Sequence, residues 1–121
     1  MRKIMVVEDS AAMRGLIASV LSDIQDVSIV EAENGYEALR RLPREKVDLI
    51  VMDINMPDIN GLELLGFIRK SPAYTATPVV IVTTEGREQD RARAMQLGAN
   101  DYVTKPFEPT ELVRVVGKYL T

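Results

Sequence analysis

Short apolar runs alternate along this chain with segments whose apolar residues recur at helical spacing. Ile4-Met5-Val6-Val7 is wholly apolar and ends in acid at Glu8 and Asp9. Val47 to Met52 is nearly so and ends at Asp53. Val79-Val80-Ile81-Val82 runs into Thr83 and Thr84. Short runs of this kind read as strands buried on both faces, as in parallel sheets. Val27 to Ala32 and Asp101 to Val103 are weaker strand candidates.

Helical patterns lie between them. Met13, Leu16, Ile17, Val20 and Leu21 fall on one stripe behind Ser10, a plausible N-cap. A second helix is expected from Tyr36 to Leu42, stopping at Pro43, which lacks the donor and crowds the preceding turn. Asn60 followed three residues later by Glu63 is a capping-box-like start, with Leu62, Leu65 and Ile68 as its apolar stripe. A fourth helix spans about Glu88 to Leu97, with Gly98 placed as its stop. The fifth opens at Glu108-Pro109 and lines its inner face with Leu112, Val113, Val116, Tyr119 and Leu120.

Strand and helix therefore alternate five times. That predicts an α/β fold: a doubly wound, five-stranded parallel sheet with helices on both faces. The flavodoxin-like strand order 2-1-3-4-5 suits five strands, and its switch point lies between the first and third. Ligands bind there, outside the carboxyl ends of the strands.

The unusual polar residues gather at that edge. Glu8 and Asp9 follow the first strand, Asp53 the third, Thr83 and Thr84 the fourth, and Lys105 the fifth. Three carboxylates in one pocket repel each other unless a cation joins them. An all-oxygen set favours Mg²⁺ or a similar hard ion. A cation pocket with a lysine and a hydroxyl suits a phosphoryl group, and a carboxylate can itself accept one.

Composition narrows the chemistry further. The chain has 121 residues, the size of one domain. It has no His, which removes the commonest general base, a Ser-His-Asp triad and any His-ligated metal. It has no Cys, which removes thiolate chemistry and fits a cytoplasmic location. The net charge of -3 argues against direct nucleic-acid binding. No apolar run approaches the ~18 residues of a membrane helix, and the first residues do not form a signal peptide. Gly35 and Gly61 read as helix-entry positions and belong to no phosphate-binding glycine motif, so nucleotide binding lacks support.

These residues together resemble the receiver domain of bacterial two-component response regulators. The matching pieces are Val6-Val7-Glu8-Asp9-Ser10, Met52-Asp53-Ile54-Asn55-Met56-Pro57, Gly61, Val82-Thr83-Thr84, Gly98-Ala99-Asn100-Asp101-Tyr102 and Lys105-Pro106-Phe107. They span nearly the whole chain in order, which implies a single receiver domain over 1–121 with no output domain. Within the family, Thr83-Thr84-Glu85-Gly86 and Asn55 resemble the stand-alone chemotaxis regulators.

The resemblance implies roles. Asp53 is the phosphoacceptor, taking the phosphoryl from a phosphohistidine of a sensor histidine kinase. Asp9, Asp53 and the backbone carbonyl of Asn55 ligate Mg²⁺, with Mn²⁺ as an alternative, and Glu8 acts through metal-bound water. Many receivers carry Asp at the position of Glu8. Lys105 pairs with the phosphoryl oxygens, its bond to Pro106 being cis. Thr83 hydrogen-bonds the phosphoryl, and Tyr102 swings inward behind it. Output is then a protein–protein contact through the fourth helix, fifth strand and fifth helix, including Arg87, Tyr102, Arg114 and Lys118.

Such a chain is a signalling switch, an enzyme only toward its own acceptor. A phosphorelay shuttle or phosphate sink carries the same residues. A Mg²⁺-dependent phosphohydrolase with an Asp nucleophile usually places a second acid two residues on. Here that position is Asn55, which cannot exchange a proton.

Overall fold

The computed structural model describes residues 1–120. Five parallel strands lie in the order β2-β1-β3-β4-β5. They are β1 (Arg2–Val7), β2 (Val27–Ala32), β3 (Leu49–Met52), β4 (Val79–Thr83) and β5 (Asp101–Thr104). Each strand is followed by a helix: α1 (Ala11–Leu21), α2 (Gly35–Glu45), α3 (Gly61–Lys70), α4 (Glu88–Gln96) and α5 (Pro109–Gly117). This is the expected flavodoxin-like, doubly wound α/β fold.

The unbroken apolar runs are explained by two cores, one on each face of the sheet. Met5, Val7, Ile50, Met52, Val79 and Ile81 point into the core shared with α2, α3 and α4. Their strand neighbours Ile4, Val6, Leu49, Val51, Val80 and Val82 point into the core shared with α1 and α5. Every side chain of β3 is buried, so neither face of that strand can carry a polar residue. Fully burying one such aliphatic side chain contributes about 1.5–3 kcal/mol, which makes the central strands the rigid part of the molecule.

Caps fix where the helices begin. The side chains of Ser10, Asn34 and Asn60 accept from the backbone N–H groups of Met13, Glu37 and Glu63. Asn60 and Glu63 form the complete reciprocal capping box. Pro109 stands at the start of α5, where its missing donor costs nothing.

Four expectations need correction. Helix α2 does not stop before Pro43 but runs on to Glu45. Pro43 lies on the exposed side near the helix end, where the carbonyl it frees can reach water; Lys46, at φ 51°, makes the actual stop. Val47 and Asp48 precede β3 rather than belonging to it. The Asp48 carboxylate accepts from the Lys3 N–H at 2.8 Å, which holds it at the sheet edge. Leu16, placed on the apolar stripe of α1, is 49% exposed because its position lies at the flank of the buried face. Helix α4 ends at Gln96, one residue early, and Gly98 takes the φ of 112° that ends the turn.

Among the described residues, no helix is long and apolar enough to cross a membrane.

Candidate functional site

Strand register brings the acids together. Val7 of β1 pairs with Ala32 of β2 and Met52 of β3. One residue further on, the Glu8 N–H donates to Ala32 O at 3.1 Å and the Asp53 N–H to Val7 O at 3.1 Å. Glu8 and Asp53 thus leave adjacent strands at the same height. Carboxylate oxygens of Glu8, Asp9 and Asp53 all lie within 4.8 Å of one another. Glu8 and Asp53 are buried, whereas Asp9 is exposed at the mouth.

Lys105 enters from the far side of the sheet. Its backbone N–H donates to Thr83 O at 2.8 Å, extending the β4–β5 ladder, and its bond to Pro106 is cis. The ammonium then reaches back over the sheet end. Nζ donates to Asp53 Oδ2 at 3.1 Å and to Glu8 Oε1 at 2.6 Å. The other Asp53 oxygen accepts from the Asn55 N–H at 3.2 Å. Side chains from three of the expected segments meet here, while the fourth, the end of β4, touches Lys105 through the Thr83 carbonyl.

The electrostatics follow from the enclosure. Burial pushes the Glu8 carboxyl above its usual range, despite hydrogen bonds from Lys105 and Ser10. Burial alone would push Lys105 down, but its hydrogen bonds to Glu8 and Asp53 outweigh it and hold the ammonium above its usual value. Lys105 therefore stays charged across the neutral range. The acid trio offers only oxygen donors, one side of it open at Asp9, which fits a hard divalent ion that keeps some of its water.

Thr83 ends β4 fully buried, its hydroxyl accepting from the Glu85 N–H at 3.4 Å. Tyr102 is also buried, its ring turned inward and its hydroxyl donating to the Glu85 carbonyl. The Arg91 guanidinium stands 5.7 Å from the centre of that ring. Burial, with Asp90 and Glu85 nearby, raises the Tyr102 hydroxyl above its usual value.

Some supporting contacts were not foreseen. Arg14 Nη1 donates to the Glu8 carbonyl at 2.8 Å, while its Nε pairs with Glu31 at 3.1 Å. Asn55 Nδ2 donates to Glu85 Oε1 at 2.9 Å, tying the loop after β3 to the loop after β4. The expected output face carries the ion pairs Arg87–Asp90 and Lys118–Asp101.

Residues 4–117 match the sequence profile of the response regulator receiver domain. The chain belongs to the response regulator receiver family. This receiver is 40% identical over 111 residues to a chemotaxis protein CheY homolog of Campylobacter jejuni, covering 91% of this chain and 85% of that one. It is 36% identical to the chemotaxis protein CheY1 of Helicobacter pylori, covering 91% and 90%. Its fold matches that of the Vibrio cholerae chemotaxis protein CheY4 with a TM-score of 0.92 at 30% identity, over 99% of both chains. The receiver is thus of the CheY type, a signalling switch rather than a classical enzyme.

Proposed function

We propose that this receiver takes a phosphoryl group onto Asp53 from the phosphohistidine of a sensor histidine kinase. The observation that carries the reading is Lys105 Nζ held 3.1 Å from an Asp53 oxygen, beside an acid trio that fits a divalent cation. In the transfer an Asp53 carboxylate oxygen attacks phosphorus. The P–N bond breaks, and its electron pair stays on the imidazole nitrogen. Lys105 meets the charge on the phosphoryl oxygens, and Thr83 donates its hydroxyl to one of them. Asp9, Asp53 and the Asn55 carbonyl would hold Mg²⁺, or Mn²⁺ in its place, with Glu8 acting through water. The cation's contribution is to offset the charge between acids and phosphoryl.

The consequence of transfer is a change at the face formed by α4, β5 and α5, where Tyr102, Arg87, Arg114 and Lys118 would meet a downstream protein. The relatives named as chemotaxis proteins favour chemotaxis or a related two-component pathway. A phosphorelay shuttle or phosphate sink would use the same acceptor without that output. Amide NMR before and after treatment with acetyl phosphate and Mg²⁺ separates these readings. The switch predicts shifts at Asp53 and also along α4, β5 and α5. Shifts confined to the acceptor loops would remove the output role.

A further inference from the structure

Glu8 is one methylene longer than an Asp would be at the end of β1, and both of its oxygens are already engaged. Oε2 accepts from the Ser10 N–H at 3.0 Å. Oε1 accepts from Lys105 Nζ at 2.6 Å. The side chain is only 3% exposed, so these protein partners replace water rather than add to it. The backbone beneath it is fixed as well, by Arg14 on the Glu8 carbonyl and by Ser10 capping α1. Lys105 is enclosed too, with 9% of its side chain exposed. Of its two carboxylate contacts, the shorter is to Glu8 rather than to the acceptor Asp53.

We infer that Glu8 is the positioning residue of Lys105. Its carboxylate holds the ammonium beside Asp53 in advance, so that turning to the cation's water means giving up that contact. A lysine stem is flexible, so seating it beforehand removes an ordering cost when phosphoryl oxygens arrive. Direct ligation of the cation is then left to Asp9, Asp53 and the nearby backbone. An Asp at this position keeps the charge but lacks the reach to Lys105. This inference rests on the phosphoacceptor and metal-site reading above.

The test compares wild type, Glu8→Asp, Lys105→Met and the double variant. Mg²⁺ affinity is read by calorimetry. The Lys105 ammonium is read by ¹H–¹⁵N NMR and assigned by its loss in Lys105→Met. Wild type without metal should show a slowly exchanging Lys105 ammonium signal, and Glu8→Asp should lose it. Glu8→Asp should tighten Mg²⁺ binding by about tenfold, the scale of one charge-assisted hydrogen bond, only while Lys105 is present. Equal effects of Glu8→Asp in both backgrounds, no tightening, or no protected Lys105 signal in wild type would overturn the inference. The absence of any protected lysine ammonium signal in wild type decides against the inference, whatever a variant does to folding. Failure of wild type to bind Mg²⁺ would sink the metal-site reading, while loss or survival of the ammonium signal in Glu8→Asp would still decide whether Glu8 positions Lys105.

Discussion

Gly61 packs directly against Asp53: a β-carbon at Gly61 would lie 2.1 Å from the Asp53 carbonyl oxygen. It would also lie 2.7 Å from the α-carbon of Ile54. The Gly61 N–H donates to Ile54 O at 2.8 Å, so α3 starts hard against the backbone that carries the acceptor. Both neighbours are main chain and cannot rotate away. Gly61→Ala should therefore destabilise the protein by about 3 kcal/mol, near the upper end for a single substitution. It should also slow phosphorylation of the fraction that remains folded. Urea unfolding measures the first effect. A cost below ~1 kcal/mol would mean that the loop yields easily.

Arg69 ties three segments together at the opposite end of the sheet. Its guanidinium donates to the carbonyls of Gly98 at 2.9 Å and Thr77 at 2.8 Å, and to Asn100 Oδ1 at 2.9 Å. Burial lowers its pKa, as expected for a cation surrounded by neutral acceptors. Arg69→Ala leaves the Gly98 and Thr77 carbonyls without this donor, while Asn100 Oδ1 keeps the Val79 N–H, and should cost about 3 kcal/mol in thermal or urea unfolding. Arg69→Lys should recover only part of it, because an ammonium cannot span the same fork of acceptors. Full rescue by Lys would show that charge alone matters there.

Asp101 supplies a pH dependence. Its Oδ1 accepts from the Tyr102 N–H at 2.9 Å, and its Oδ2 lies 3.0 Å from Lys118 Nζ and 3.1 Å from the Tyr119 hydroxyl. Burial opposes ionisation, but these partners outweigh it and lower the Asp101 pKa. A lowered native value means that the charged form stabilises the fold. That contribution is complete above the unfolded pKa near ~4 and disappears as pH falls through the lower native value. At pH 7, Asp101→Asn should cost about 1 kcal/mol. The gap from wild type should close as acid is added. A gap that stayed constant down to pH ~2.5 would mean that ionisation of Asp101 contributes nothing.

Much of this was legible in the sequence because the fold is built from strong local signals. The runs ending at Glu8, Asp53 and Thr83 mark strands whose ends share one edge, and the alternation fixes the sheet's parallel topology. The caps at Ser10 and Asn60 are local hydrogen bonds, visible from spacing alone. What escaped was set by tertiary context. Pro43 reads as a stop because a proline in mid-helix is costly, yet near an exposed helix end the cost is small. Asp48 continues an apolar run on paper but serves as the partner of Lys3 on the neighbouring strand. The direct contact of Glu8 with Lys105 joins residues separated by 97 positions, which no local pattern reveals. Arg14 gave no sign of its role, since a charge in the first turns of a helix usually faces water.

The most direct test of the central claim is intact mass after incubation with acetyl phosphate, with and without Mg²⁺, for wild type and Asp53→Asn. Addition of one phosphoryl group to wild type, dependent on Mg²⁺ and absent from a folded Asp53→Asn protein, is the predicted result. A phosphoryl group added at the same rate to Asp53→Asn would contradict the assignment of Asp53 as the acceptor.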